Sequence, residues 1–405
     1  MNVVFVAPYL MRATLQFITG AARLPGVRLS LLTQDVVQKV PESLKPHLHH
    51  FFQARDLMST PALESEVKQV MSVTGKIDRL LGTLEHLQIN IAEVRDRLGI
   101  PGVDAQTACN FRDKSLMKDI LRRNGLPCAR HCLAGSFDEA VGFAREVGFP
   151  MVVKPPDGAG SRNTHRIKQL SELESLLRQW GPSPGQPVLL EEFIRADEYT
   201  LESVRLNGKM VWHSITRYFP SPLEVLENPW IQWCILLPRE VDHPAFDDVV
   251  HIADKAIGAL GLETGLSHLE WFRRKDGSIA ISEVGARPPG GQLSSMTGFA
   301  HDFDFHRGWA EAAIFGTFQK PERRYATGTM FMRGQGKGRV VAVEGLDSVH
   351  KEVGHLIVES KLPQPGQPIS GTYEGEGYII LKHPQTSVIE KALDFLLNTI
   401  RVRLG

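Results

Sequence analysis

Charge of one sign is missing from this chain: Lys+Arg and Asp+Glu both number 46 among 405 residues. A balanced chain has no bulk electrostatic attraction to nucleic acid or to an anionic membrane, and neither is expected as a partner. No apolar run is long enough to span a bilayer. Met1-Asn-Val-Val-Phe-Val-Ala7 is apolar but short, with no basic flank, so it reads as a first β-strand rather than an export signal. Cysteine is scarce, with only Cys109, Cys128, Cys132 and Cys234. Cys128-x₃-Cys132, with His131 inside it, hints at zinc but lacks a second ligand pair; free thiols in a reducing cytoplasm are the expectation. No G-x-G-x-x-G follows the first strand, which argues against a nicotinamide dehydrogenase. Internal repeats and low-complexity segments are also absent.

What is present is the composition of an ordinary soluble protein, 42% hydrophobic and 23% charged. The length predicts two or three domains. Val3 to Ala7 and Val27 to Thr33 read as strands, Thr14 to Ala22 as a helix, and Glu64 to Gly75 and Lys76 to Gly99 as helical. A short strand is expected at Val103 to Ala105. This is the shape of an open, mostly parallel sheet. From Asp113 the pattern changes to helices closed by Gly125-Leu-Pro127 and by Gly148 and Pro150, then strand, glycine-bearing loop and strand. His243 to Leu260 reads as a long amphipathic helix. Residues 326 to 405 read as a β-rich tail ending in a helix, Ser387 to Arg401.

The most informative residues are Glu270 and Glu283. They lie in Leu266-Ser-His-Leu-Glu-Trp-Phe272 and Ile279-Ala-Ile-Ser-Glu-Val-Gly285, on either side of the turn signal Lys275-Asp-Gly-Ser278. A two-residue turn at Asp276-Gly277 sets Glu270 opposite Glu283. A four-residue loop gives the same register, whereas a three-residue loop breaks it. Two facing carboxylates on an apolar hairpin repel, and a divalent cation with a taste for oxygen, such as Mg²⁺, removes the repulsion. The alternative is two solvated glutamates on an exposed sheet face.

Lys154 ends an apolar strand, where it is desolvated unless an anion meets it. The loop behind it, Asp157-Gly158-Ala159-Gly160-Ser161, can offer backbone N–H groups to phosphate oxygens, although it lacks the Walker A spacing and is also a plausible plain connector. Glu191-Glu192-Phe193-Ile194 ends another apolar strand, able to meet a planar heterocycle or simply to terminate, with Glu198 just beyond. Arg287 follows Glu283 by four residues in a Pro/Gly-rich turn and offers a fork for phosphate or carboxylate, unless it is a solvated loop arginine.

Taken in order, Lys114, Lys154 with its glycine loop, Glu191 to Ile194, Glu198, Glu270, Glu283 and Arg287 resemble the ATP-grasp superfamily over roughly residues 100 to 300. The tail, with Gly338-Arg-Val-Val-Ala-Val-Glu-Gly345 and Gly377-Tyr-Ile-Ile380, resembles the L-amino-acid ligase branch; the wider likeness extends to biotin carboxylase-like members. The resemblance implies an α/β (α+β) ATP-grasp fold in four parts. These are an N-terminal open-sheet domain (1–110), a small mobile ATP-binding subdomain with a glycine lid (111–187), a large subdomain with the metal site (188–325) and the β-rich C-terminal region (326–405).

It further implies ATP and Mg²⁺ as cofactors and ligation of a small carboxylate to an amine through an acyl phosphate. Lys114 and Lys154 would contact ATP phosphates, under a lid running from Gly158 through Gly160 and Ser161 to Asn163. Glu191, Glu192, Phe193 and Ile194 would meet adenine, and Glu198 ribose. Glu270 and Glu283 would bind metal, with Lys154 and Arg287 catalytic. His268, His213 and Arg217, with Trp230 and Trp233, are candidates for the acceptor site. Where the family often has a further metal-binding Asn, this chain has Gly285. A carboxylating or other phosphate-activating enzyme, or a catalytically weak ATP-binding module, are the alternatives. Cytoplasmic location and a homodimer are family-level expectations.

Overall fold

The computed structural model describes residues 1–156, 163–228 and 231–405. The chain opens with four parallel strands, β1 (Asn2–Val6), β2 (Arg28–Thr33), β3 (Leu48–Gln53) and β4 (Arg79–Leu81), in the order β3-β2-β1-β4. Helices α1 (Arg12–Ala22), α2 (Thr60–Thr74) and α3 (Gln88–Leu98) accompany them. Strand β4 falls inside the stretch expected to be helical from Lys76 to Gly99. Its Leu80 and Leu81 are buried where it pairs with β1, and so short an apolar run carries no periodicity to separate strand from helix. Nor is there a strand at Val103 to Ala105. Asp104 instead caps α4 (Ala105–Arg112), accepting from the Thr107 N–H at 2.7 Å.

Helix α5 (Lys114–Arg123) starts at once afterwards. Asp113 caps it through the N–H groups of Ser115 and Leu116, at 2.9 and 3.0 Å. That cap fixes where Lys114 and, one turn later, Lys118 stand.

A small antiparallel sheet follows, β5 (His131–Ala134), β6 (Met151–Lys154), β7 (His165–Ile167) and β8 (Val188–Glu192), in the order β5-β8-β6-β7. Helices α6 (Phe137–Val147) and α7 (Leu170–Trp180) pack on it around Ala140, Val153, Leu173 and Leu190. Residues 188–192 therefore sit with the small sheet, and the boundary expected before 188 cuts into it. The reason is pairing: β8 lies between β5 and β6, a long-range choice with no local sequence signal.

Strands β9 (Asp197–Leu206), β10 (Lys209–Phe219), β11 (Trp233–Leu237), β12 (Gly265–Arg273) and β13 (Ile279–Gly285), with helices α8 (Pro222–Glu227) and α9 (Asp247–Ala259), form the body. Helices α10 (Leu293–His301) and α11 (Phe305–Phe315) join it to the tail. The tail holds β14 (Ala326–Met332), β15 (Gly334–Gln335), β16 (Val340–Glu344), α12 (Leu346–Val353), β17 (Ile357–Lys361), β18 (Gly377–His383), α13 (Thr386–Thr399) and β19 (Arg401–Leu404). The final helix thus stops earlier than expected, and the last residues pair with β15 and β16.

The tail is not a separate layer. β14, β18 and β17 extend the body sheet, whose order among the described residues is β13-β12-β9-β10-β11-β14-β18-β17. On one side α9 covers it around Leu201, Ile215 and Trp271; elsewhere α13 packs on β14 and β18. Among the described residues, no helix is long and apolar enough to cross a membrane.

Candidate active site

Between the small sheet and the body lies a cleft of about 1210 Å³. Lys114, Lys154, Glu270 and Glu283 line it, together with the continuous segment Glu191 to Tyr199.

The carboxylate pair is built by two irregularities that cancel. The hairpin loop has three residues, Lys275 to Gly277. Arg274 donates its backbone N–H to the Ser278 carbonyl at 2.8 Å, and Gly277, at φ +84°, closes the turn onto Arg274. Such a loop pairs Arg273 with Ile279 and Trp271 with Ile281, the register that separates the glutamates. A bulge at Ser282 then restores it, and Glu270 stands opposite Glu283. The expected pairing is present, by a different turn from the one read in the sequence.

Helix α5 lies against this bulge. Lys114 Nζ is 2.9 Å from Glu283 Oε1, Lys118 Nζ donates to the Ser282 carbonyl at 2.6 Å, and the Val284 N–H faces Met117 Sδ at 3.2 Å. Burial opposes the charge on Glu283, but Lys114 and Lys154 outweigh it and hold the carboxyl below its usual range.

Lys154 is nine-tenths buried, and its Nζ is 2.9 Å from Glu191 Oε2. The fully buried Lys118 takes the other oxygen at 3.3 Å. Burial would raise the Glu191 carboxyl, yet the two ammonium groups override it and bring it to about 2. For Lys154, desolvation works against the charge, and Glu191, Glu283 and Glu270 together raise it above its usual range.

Glu198 is buried beside Glu270. Burial first, and then that neighbouring charge, push its carboxyl well up, against the pull of Lys154 and His268. Behind Glu270 runs a buried chain. Glu202 accepts from Thr200 Oγ1 at 2.7 Å, Thr216 Oγ1 at 3.0 Å and His268 Nδ1 at 2.8 Å. His268 Nε2 reaches Glu270 Oε1 at 3.5 Å. Burial would lower the imidazole, but hydrogen bonds to Glu202 and Glu270 prevail and raise it to about 10.

The other expectations divide. Glu192, Phe193 and Ile194 lie on the cleft wall, where Glu192 also pairs with Arg130 at 2.9 Å and Arg166 stacks over the Phe193 ring at 5.2 Å. Arg217 lines the cleft near Asp197, 3.5 Å away. Asn163 takes a left-handed conformation, φ +54°. Gly158, Gly160, Ser161 and Trp230 lie outside the described residues.

Three of the expected residues lie away from this cleft lining. His213 does not line the cleft; it sits beside Val241 and Asp242, where burial lowers its imidazole. Trp233 is a core residue, stacked on Phe331 with centroids 5.0 Å apart. Arg287 does not line this cleft either. Its guanidinium is held by the Glu85 carboxylate of the N-terminal domain and by the Pro288 carbonyl, with Arg112 3.8 Å from the other Glu85 oxygen.

Cys128 directs its thiol at the Lys118 carbonyl, and His131 faces Asp119 at 3.2 Å. Among the described residues, no three or more His, Cys, Asp or Glu side chains are grouped to hold a metal by themselves. Sequence reasoning missed Lys118, Glu202 and Glu85. Lys118 follows Lys114 by four residues, the spacing of one helix face. The other two carried no local signal.

Residues 119–297 match the ATP-grasp domain family. An L-arginine-specific L-amino acid ligase of Bacillus subtilis is 23% identical over 276 residues, 67% of this chain and 65% of that protein, so the match spans just under two thirds of the relative's length. An L-amino acid ligase structure from Bacillus licheniformis superposes with a TM-score of 0.79 at 20% identity, covering 100% of this chain and 98% of that one. An N5-carboxyaminoimidazole ribonucleotide synthetase from Thermotoga maritima gives 0.71 at 17% identity, with 100% and 99% covered. The lysines and facing glutamates thus stand in a fold shared from end to end with these enzymes, and residues 119–297 of the chain are an ATP-grasp domain.

Proposed function

We propose that this chain is an ATP- and Mg²⁺-dependent ligase that joins a carboxylate to an amine, with amino acids as the substrate class. The carrying observation is the convergence in one cleft of Lys114 and Lys154 with the facing carboxylates of Glu270 and Glu283. Two cations suit a polyphosphate, and crowded hard oxygens suit a divalent ion. Glu198, pressed against Glu270 with its carboxyl pushed up, has the like-charge crowding that a cation relieves. Glu270 and Glu283 would hold the ion.

When bound, Mg²⁺ offsets charge on the transferred phosphoryl group. Lys154, anchored by Glu191, supplies fixed positive charge at the same place. Glu191 to Ile194 form the wall against which the base would lie. The substrate carboxylate takes the γ-phosphoryl group and ADP leaves. The amine nitrogen then bonds to the acyl carbon as the carbon–oxygen bond to phosphate breaks. Phosphate departs with the electron pair, and the surplus ammonium proton is lost to solvent.

The Arg287–Glu85 ion pair supports amino acids as the substrate class. A zwitterionic amino acid exchanges for their ion pair without leaving a charge unmatched, its carboxylate on Arg287 and its ammonium on Glu85. Arg287 would thereby hold the substrate beside Gly285, two residues beyond Glu283.

One observation favours a second reading, a nucleotide-binding module of little activity. Gly285 stands where the resemblance places an asparagine ligand, and the space beside it is taken by Arg287, whose Cγ would lie 3.6 Å from an added Cβ. The deciding experiment is Mg²⁺-dependent phosphate release from ATP against pools of amino acids and other carboxylates, with and without amines, products read by mass spectrometry and Glu283→Ala as control. Release that needs both substrates and is lost in the variant supports the ligase. ATP binding by calorimetry with no turnover in any pool favours the module.

A further inference from the structure

The metal hairpin does not hold its own register. Its three-residue loop sets Trp271 opposite Ile281, and continued without interruption that pairing would bring Glu270 opposite Ser282 and turn Glu283 to the other face of the strand. Only the bulge prevents this. A bulge leaves a backbone group outside the ladder, and a buried carbonyl without a partner is costly. Here the carbonyl of Ser282 accepts from Lys118 Nζ at 2.6 Å. The neighbouring contacts come from the same helix, Lys114 on Glu283 and Met117 Sδ on the Val284 N–H, so α5 meets three consecutive residues of the irregular strand. Lys118 is fully buried, and its other contact is Glu191, which in turn holds Lys154. One ammonium group therefore ties the bulge to the lysine that faces the cleft.

We propose that Lys118 is a positioning residue for the carboxylate pair: it fixes the Ser282 bulge, and through it the facing of Glu270 and Glu283, while joining that pair to Lys154 by way of Glu191. The proposal rests on the metal reading given above. Lys118 does not line the cleft; it acts through a backbone carbonyl and a carboxylate.

The test is Mn²⁺ titrated into the full chain with saturating ADP, followed by electron paramagnetic resonance, for the wild type, Lys118→Met, Lys118→Arg and Glu283→Gln. Amide hydrogen exchange at Ser282 to Val284 is read in parallel without metal. Lys118→Met weakens Mn²⁺ binding about tenfold to a hundredfold, the usual loss when a group behind a metal ligand is removed, and speeds exchange at those amides. Lys118→Arg, which keeps a cation and donors, recovers part of both. A folded Lys118→Met protein with wild-type Mn²⁺ affinity overturns the proposal, whatever its melting temperature. If Glu283→Gln also binds Mn²⁺ normally, the metal reading itself fails; loss in Glu283→Gln alone removes only the role of Lys118. Should the methionine variant not fold, Lys118→Leu, which also removes the donor to Ser282, goes through the same titration, and wild-type affinity there is equally fatal.

Discussion

Replacing Glu191 with glutamine isolates the electrostatics at the centre of the molecule. The carboxylate is 5% exposed and lies 3.3 Å from Lys118 Nζ and 2.9 Å from Lys154 Nζ. Its pKa falls from 4.5 to about 2. At about 1.4 kcal/mol per unit, that shift corresponds to roughly 3 kcal/mol of stability. The sign follows from the direction: a depressed carboxyl stabilises the fold above its unfolded pKa of 4.5, and the contribution disappears as pH drops through about 2. A second route gives a similar size, since removing one partner from a buried ion pair costs about 3–5 kcal/mol. The Glu191→Gln protein is therefore expected to be roughly 3 kcal/mol less stable than the wild type at about neutral pH. The gap should narrow as pH falls below 4.5, because the unfolded wild type takes up a proton there while the folded carboxylate stays ionised down to about 2. Urea unfolding followed by circular dichroism, run on both proteins from neutral pH downward, measures it. A gap under about 1 kcal/mol at neutral pH, or one that does not change with pH, refutes the reasoning.

The other expected outcomes concern chemistry and the alkaline limb. Lys154→Met should cut kcat for ATP-dependent phosphate release by about 10²–10³, the usual cost of losing one preorganised charge at a developing anion. Glu85→Gln should raise KM for the amino acid about tenfold or more, as befits a lost charged hydrogen bond, and leave KM for ATP unchanged; equal rises in both would detach Glu85 from substrate. Arg287→Lys keeps the charge but loses the fork, so initial rates should show the same selective rise in amino-acid KM. His268, raised to about 10, stabilises the fold fully below its ordinary 6.5 and loses that contribution as pH climbs through 10. In a pH series of thermal melts His268→Gln should lack this part of the alkaline loss.

How far the sequence could be read is clearest at the hairpin. Glu270 and Glu283 do face each other, as the turn signal suggested, yet the loop is the three-residue form that should have parted them. Turn chemistry is local, so Lys275-Asp-Gly-Ser278 could announce a hairpin and its place. The bulge that repairs the register is not local: its carbonyl is met by a lysine 164 residues earlier in the chain. The same division runs through the rest. Stops placed the ends of α5 and α6, because Gly125 and Gly148 act within a turn or two of themselves. Strand β4 was lost inside a helical stretch, and β8 was assigned to the wrong side of a boundary, since both are defined by the strands beside them.

Among the site residues, Lys154 and the glutamates were legible because a charge at the end of an apolar run is a local anomaly. Glu85 and Lys118 were not, for each looks like a solvated residue until its partner arrives from elsewhere in the chain. Arg287 shows the consequence. Its fork was read in the sequence, but the carboxylate that holds it lies 202 residues away. Charge complementarity can be read from sequence one half at a time; the fold supplies the other half.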